Sequence, residues 1–289
     1  MSNHKIRTLD NLSLQEFDAE SELIPLLTPE DEEEMNNEDL PESLSILPLR
    51  NMVLFPGVVI PITAGRDKSI NLINDAYAGG KIIGVVAQKN EEVEDPTIND
   101  IHNIGTVARI LRVLKMPDGN VTVILQGKKR FQIESLVSET PYFTANIKDV
   151  PEKRPTKKDR EFLAILDSVR ELAIQIIKEN PNIPSEATFA IKNIESQSFL
   201  INFVTSNMSL SVEEKQNLLS INSLKDRALE TLRYMNTELQ KLELKNDIQS
   251  KVRFDLDQQQ REYFLHQQMK TIQEELGGVS QEEAMDEMN

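Results

Sequence analysis

The apolar positions along this chain change their spacing near the middle. Before about residue 151 they alternate or cluster in short runs, as strands require; after it they recur at helical spacing. "SLSILPLR" alternates. "VVIPITA" follows the turn Phe55-Pro56-Gly57, where proline presets φ and glycine permits a positive φ. "KIIGVVAQ" is a compact apolar run suited to a buried strand. "GTVARILRVLKM" sets Val107, Ile110 or Leu111, and Val113 against polar neighbours. "MPDGN" marks a tight turn into "VTVILQGKKRFQIESLV", a hairpin or meander, and "YFTANIKDV" closes the series. One helix interrupts the strands: "RDKSINLINDAYAGG" puts Ile70, Ile73 (or Leu72) and Tyr77 on one face, and Gly79-Gly80 ends it. These elements predict a small, closed or half-closed β domain over 43–151.

A basic, proline-marked linker, "EKRPTKKD" (152–159), leads into a helical bundle over 160–223. Its first helix aligns Phe162, Ile165, Leu166, Val169, Leu172 and Ile176 on one face. Ser185 is the expected N-cap of the next helix, and Ser211 with Glu214 forms a capping box for a later one. From Leu224 to about Leu276 neither proline nor glycine intervenes, so a single helix about 75–80 Å long is predicted. Ala228, Leu232, Met235, Leu239 and Leu242 form a coiled-coil seam along it. Leu244, Ile248, Val252 and Leu256 then step by four, so the stripe drifts around the helix. Leu265, Met269, Ile272 and Leu276 resume the mixed spacing. Residues 277–289 form a short acidic tail.

Charge adds a segment at the other end. The 289 residues carry a formal net charge of −16, and 1–42 hold Lys5 and Arg7 as their only basic residues. That segment, with Pro25, Pro29 and Pro41, reads as a disordered acidic tail, either simply solvated or a repulsive or regulatory arm; its apolar "ELIPLL" is suited only to weak docking. The acidic balance argues against nucleic-acid binding through the whole surface. The absence of cysteine excludes disulfides and thiolate chemistry and fits a reducing cytoplasm. The longest apolar run, "MVLFPGVVIPI", is about half a membrane span and carries two prolines, so a membrane partner is not expected.

Chemistry is sparse. There is no GxxxxGK[ST], GxGxxG or GxSxG. His4, His102 and His266 lie far apart, and no metal-binding spacing such as HExxH occurs. Asp255 and Asp257, two apart on a helix, point to nearly opposite sides and make no acid/base pair. No catalytic, cofactor or metal residue is assigned. Lys153, Arg154, Lys157, Lys158 and Arg160 read as a solvated linker or as a contact for nucleic acid or an acidic partner. Phe55, Pro56 and Val58 make either an ordinary buried turn or an exposed apolar lip. Tyr263 and Phe264 diverge by about 100° on the helix, so at least one lies at the edge of a packing surface. It serves core packing or contacts a substrate or partner. These five are the candidate substrate contacts.

Two stretches resemble a known family. "LPLRNMVLFPGVVIPITAGRDKSINLI" (Leu47 to Ile73) looks like the opening of the N-terminal domain of Lon proteases. "QQQREYFLHQQMKTIQEELGG" (Gln258 to Gly278) looks like that family's long-helix signature before the ATPase module. The order of the two and the β-then-helical layout between them agree over about residues 43–280. The resemblance implies an α+β fold: a PUA-like small β-barrel, then an all-α domain ending in a very long helix. Lon proteases are ATP-dependent serine proteases that assemble as hexamers in the bacterial cytoplasm or mitochondria and degrade misfolded and regulatory proteins. Their phosphate loop, Mg²⁺-binding acid and Ser–Lys dyad lie downstream of the long helix and have no counterpart here. The resemblance therefore implies a substrate-recognition and assembly region, not itself an enzyme, with ATP and Mg²⁺ bound elsewhere in the parent. A GxxxxGK[ST] loop is expected roughly 70–80 residues beyond Asn289. A purely structural or oligomerising module, motivated by the seam from Ala228 to Leu242, and a stand-alone adaptor are the alternatives.

Overall fold

Leu44, Ile46, Leu47 and Leu49 all point inward from the first strand, which has apolar packing on both of its faces. In the computed structural model, residues 27–286 are described apart from Asp118 and Lys157, with side chains as far as Glu274. Six strands form one sheet: β1 (Ser43–Leu49), β2 (Val59–Ala64), β3 (Ile82–Ala87), β4 (Ile104–Lys115), β5 (Val121–Ser138) and β6 (Thr144–Asp149). Their order is β2-β5-β4-β3-β1-β6, and β6 returns to pair with β5. The ring β5-β4-β3-β1-β6 is therefore closed, while β2 hangs outside it on β5 and keeps a free edge. Strand β5 makes closure possible by its length. Its first part pairs with β2 through Val121 to Gln126, and its last part pairs with β6 from Phe131 to Ser138.

Helix α2 (Asp67–Ala78) lies in the crossover between the parallel strands β1 and β3 and buries Leu72 and Ile73. Tyr77, expected on that inner face, is instead exposed beneath the Lys81 ammonium, 4.7 Å from its ring centre. In β4, Val107 and Ile110 are buried while Leu111 is exposed. A register shift against β5 between Ile110 and Arg112 breaks the two-residue alternation there.

The helical part comprises α3 (Arg160–Glu179), α4 (Ala187–Asn193), α5 (Gln197–Asn207), α6 (Val212–Ser220) and α7 (Leu224–Asp286). Asp159 caps α3 by accepting from the Phe162 N–H, and Ser211 and Glu214 form the expected capping box of α6. Helix α4 starts one residue later than expected: Glu186, not Ser185, is its N-cap and makes no side-chain capping bond. The expected stop at Leu276 is also corrected. Helix α7 continues through Gly277-Gly278 to Asp286. Two glycines cost such a helix only about 1 kcal/mol each, and neither is needed elsewhere for a turn.

The acidic segment is corrected in part. Residues 1–26, with most of "ELIPLL", lie outside the described residues, but α1 (Pro29–Asn37) is a helix. Thr28 and Asp31 form its capping box and Pro29 occupies its first turn. Leu27 is buried in the same core as Phe55 and Phe199. The linker is corrected too. Residue Lys153 bonds through its backbone to Asn222 and Leu224, pinning the segment to the start of α7.

Candidate functional site

The turn at Phe55 is held on three sides. The Gly57 N–H donates to the Gly127 carbonyl and the Gly127 N–H to the Val58 carbonyl, both at 2.9 Å. The buried Thr106 hydroxyl donates to the Leu54 carbonyl at 2.6 Å, and Asn202 Nδ2 donates to the Pro56 carbonyl at 3.1 Å. Gly57 has φ +82°, and a Cβ there would stand 2.7 Å from Phe199 Cδ2 on α5. Sequence and packing thus agree on glycine: no other residue reaches that φ at low cost or leaves room for the phenyl ring.

Phe55 is 0% exposed and Val58 is buried beside it; Pro56 is half-buried. As substrate contacts, Phe55 and Val58 are therefore corrected to the buried-turn reading. They form the joint between the β barrel and the helices, in one core with Phe162, Phe199, Leu200 and Leu218. Burying a phenylalanine of this kind stabilises by about 1.5–3 kcal/mol.

A second joint is ionic. Glu152 receives Arg227 Nη2 on one oxygen and Arg154 Nε, at 3.2 Å, on the other, while the Ser198 hydroxyl donates to it at 3.2 Å. Arg227 is fully buried, as is nearly all of Arg130, which donates to the carbonyls of Leu219 and Ile221 at 2.9 and 2.8 Å. Burial, and then repulsion from Arg227, pushes the Arg130 guanidinium down to about 10. Of these residues only Arg154, in the basic cluster, stood out in the sequence. Arg227 and Thr231 sit four apart and are both fully buried beside Ala228 and Met235, but an arginine in a coiled-coil stripe reads as a flank.

The long helix divides in two. Ala228 and Met235 are buried and Leu232, Leu239 and Leu242 half-buried, in the core shared with α3. The seam that motivated an oligomerising module is thus already occupied within the chain. Asn246 Nδ2 donates to both the carbonyl and the side chain of Glu179, at 3.0 Å, where α3 ends. From Asp247 to Glu274 every residue is exposed. Tyr263 (68% exposed) and Phe264 (60%) lie there with Ile248, Val252, Phe254, Leu265 and Met269. Neither aromatic packs in a core. Of the basic cluster, Arg154 pairs with Glu152 and Glu32, and Lys157 lies outside the described residues.

Among the described residues, no group of three or more histidine, aspartate or glutamate side chains is placed to hold a metal, and no helix is long and apolar enough to cross a membrane.

Over residues 43–237 the chain matches the family described as the ATP-dependent protease La (LON) substrate-binding domain. It is 85% identical over 288 residues to a Lon protease of Flavobacterium johnsoniae, covering 100% of this chain and 35% of that protein. It is 48% identical over 267 residues to a Lon protease of Cytophaga hutchinsonii, covering 92% of this chain and 33% of that protein. The chain thus spans about a third of the length of the curated relatives it matches. In three dimensions it is similar to the N-terminal domain of a Mycobacterium avium complex Lon protease. The TM-score is 0.56 at 20% identity, covering 67% of this chain and 98% of that one, a likeness of fold.

Proposed function

Because the chain belongs to the family of the ATP-dependent protease La (Lon) substrate-binding domain, we propose that it engages unfolded polypeptide clients and couples them to the ATPase ring of an ATP-dependent serine protease. The observation that carries this reading is the bare part of α7. Three aromatic side chains, Phe254, Tyr263 and Phe264, and a series of aliphatic ones stand in solvent between Leu244 and Ile272. Apolar side chains spaced along a polar rod bind extended, apolar segments weakly and with little regard to sequence. Weakness per contact is offset when several copies act together, since the second contact becomes intramolecular. In this reading the parent acts in the cytoplasm as a hexamer, ATP and Mg²⁺ bind outside this chain, and catalysis belongs to segments it does not contain. The two joints at Phe55 and Glu152 hold barrel and helices as one body, so a client caught on α7 has a firm base to be pulled against.

The test measures binding of a permanently unfolded, alkylated reporter protein to the full chain and to Tyr263→Ser, Phe264→Ser and the double variant. The double variant is expected to weaken binding at least fivefold with unchanged thermal stability. Unaltered affinity in all three removes the aromatic pair from the client site. Sedimentation of the same samples separates client binding from self-association through the same stripe, which would lower the sedimentation coefficient of the double variant without changing reporter affinity.

A further inference from the structure

Helix α1 lies across a cleft between the barrel and the helices, and its contacts there are chemically specific. Glu32, on its inner face, is buried. One carboxylate oxygen receives Arg154 Nη2, and the other receives the hydroxyl of Ser196, the residue that caps α5 by accepting from the Phe199 N–H. Glu32 thus reaches the positive end of α5 as well as a guanidinium. Glu38 pairs with Lys128 through its side chain, and its carbonyl accepts from Lys129 Nζ at 2.7 Å. At the other end Leu27 is inserted beside Phe55 and Phe199, and Met35 packs half-buried on the same core.

The walls of this cleft are basic without α1. They carry Lys128, Lys129, Arg130 and Arg154 against Asp149 and Glu152, and Glu152 is already engaged by the buried Arg227. About 400 Å³ of space remains beside α1. Two nearly fully buried groups of its lining, Arg130 Nη2 and Asn202 Oδ1, have no hydrogen-bond partner among the described residues. In the wall of this basic, aromatic-floored cleft, α1 thus leaves one buried donor and one buried acceptor unsatisfied.

The walls and the strap also differ in whether the family match covers them. Residues 128–154 and 196–202 fall within the matched substrate-binding domain, which begins at residue 43; α1 precedes it. Nine residues are too few for a helix to persist alone in water, so α1 borrows its order from the cleft.

We propose that this cleft is a polypeptide-binding site for acidic segments led by an apolar anchor, and that α1 is its resident occupant in cis, displaced by client segments of the same chemistry. It is a site distinct from the exposed part of α7 and does not depend on the role given to that helix. The tether sets an effective concentration in the millimolar range, so a single free segment competes poorly. A client that is also held elsewhere competes well. Occupancy by α1 would thus discriminate against short acidic peptides in favour of clients engaged at more than one point.

The experiment uses the full chain and a fluorescein-labelled peptide of residues 26–39, read by anisotropy. Two variants release α1 by different routes. E32Q/E38K weakens its charge contacts. E30G/E34G changes only exposed positions that do not line the cleft and melts the helix without removing a contact to it. Both are expected to bind the peptide at least tenfold more tightly than the unaltered chain, because the binding-competent fraction rises. Adding K128E/K129E to the glycine variant should return affinity to the unaltered level or below. Equal affinity of the unaltered chain and both released variants would overturn the proposal. So would tight binding that survives K128E/K129E, equal binding of a scrambled peptide, or equally tight binding of a single-stranded oligonucleotide to the released chain.

Discussion

Arg227, fully buried on α7, donates through Nη2 to Glu152, which stands at the exit of the barrel's last strand. The long helix is thereby tied to the β domain by one charge pair, with Arg130 close by as a second buried cation. The two partners are not equivalent. Glu152 also receives Arg154 and Ser198, whereas Arg227 Nε and Nη1 have no partner.

Removing Glu152 should therefore cost more than removing Arg227. Glu152→Ala leaves the buried Arg227 guanidinium without its carboxylate and takes one of two favouring charges, the other being Asp149, from Arg130, and the loss is expected at about 3–5 kcal/mol. Arg227→Met, which keeps the volume and leaves Glu152 with Arg154 and Ser198, should cost clearly less. Urea unfolding of both variants orders them.

Phe55→Ala and Gly57→Ala are expected to act on stability rather than on client contact. The first opens a cavity between the two domains, at about 3–5 kcal/mol. The second forces a side chain into the left-handed region and against Phe199, at about 1–3 kcal/mol. Thermal unfolding should show both losses, and reporter binding measured well below the melting temperature should stay unchanged.

The acid limb of the stability profile should be set by capping carboxylates. Asp31 is held below its ordinary value by the Thr28 hydroxyl and N–H. Asp159 is held down by the Phe162 N–H and then Lys225, and Glu214 by the Ser211 N–H and hydroxyl. Each contributes fully above its ordinary value, 3.8 for the aspartates and 4.5 for Glu214, and loses that contribution as pH falls through the depressed folded value. Melting temperature should thus hold from neutral pH to about 5 and fall below it. Asp159→Asn with Glu214→Gln should flatten that slope. Lys225, raised by Glu161 and Asp159, works at the other end: its contribution is present below 10.5 and is lost as pH rises through its raised value.

Amide hydrogen exchange should divide α7 near Asn246. Amides from Leu224 to Asn246 are backed by α3 and the helical core, and protection close to the global value is expected there. Beyond it the helix has no tertiary support among the described residues, and single helices are marginal in water, so exchange should be faster by orders of magnitude. Uniform protection to residue 270 would mean that a partner covers the exposed side.

How far the sequence could be read follows from where each signal resides. The α3 face, the Ser211 capping box and the strand alternation are local, and they predicted their elements. What escaped depends on surfaces brought together from distant segments. Phe55 and Val58 read equally well as a lip or a joint until α5 is placed over them. Helix α1, polar over nearly its whole length, has no periodicity to betray it; it is held by Arg154, Ser196 and Lys128, ninety or more residues away along the chain. The buried cations Arg130 and Arg227 escaped for the same reason, because the carboxylate that admits them lies in what reads as a linker.

The division of α7 at Asn246 has a mechanical consequence. Its root is clamped by α3 and by the Arg227–Glu152 pair, while residues 247–274 extend about 40 Å from the clamp at 1.5 Å per residue. A tilt of about 10° at the root carries Ile272 through about 7 Å, two residues' worth of extended chain. The helix has the geometry of a lever arm, in which side-chain repacking of less than an ångström at the fulcrum becomes a displacement of several ångströms at the far end.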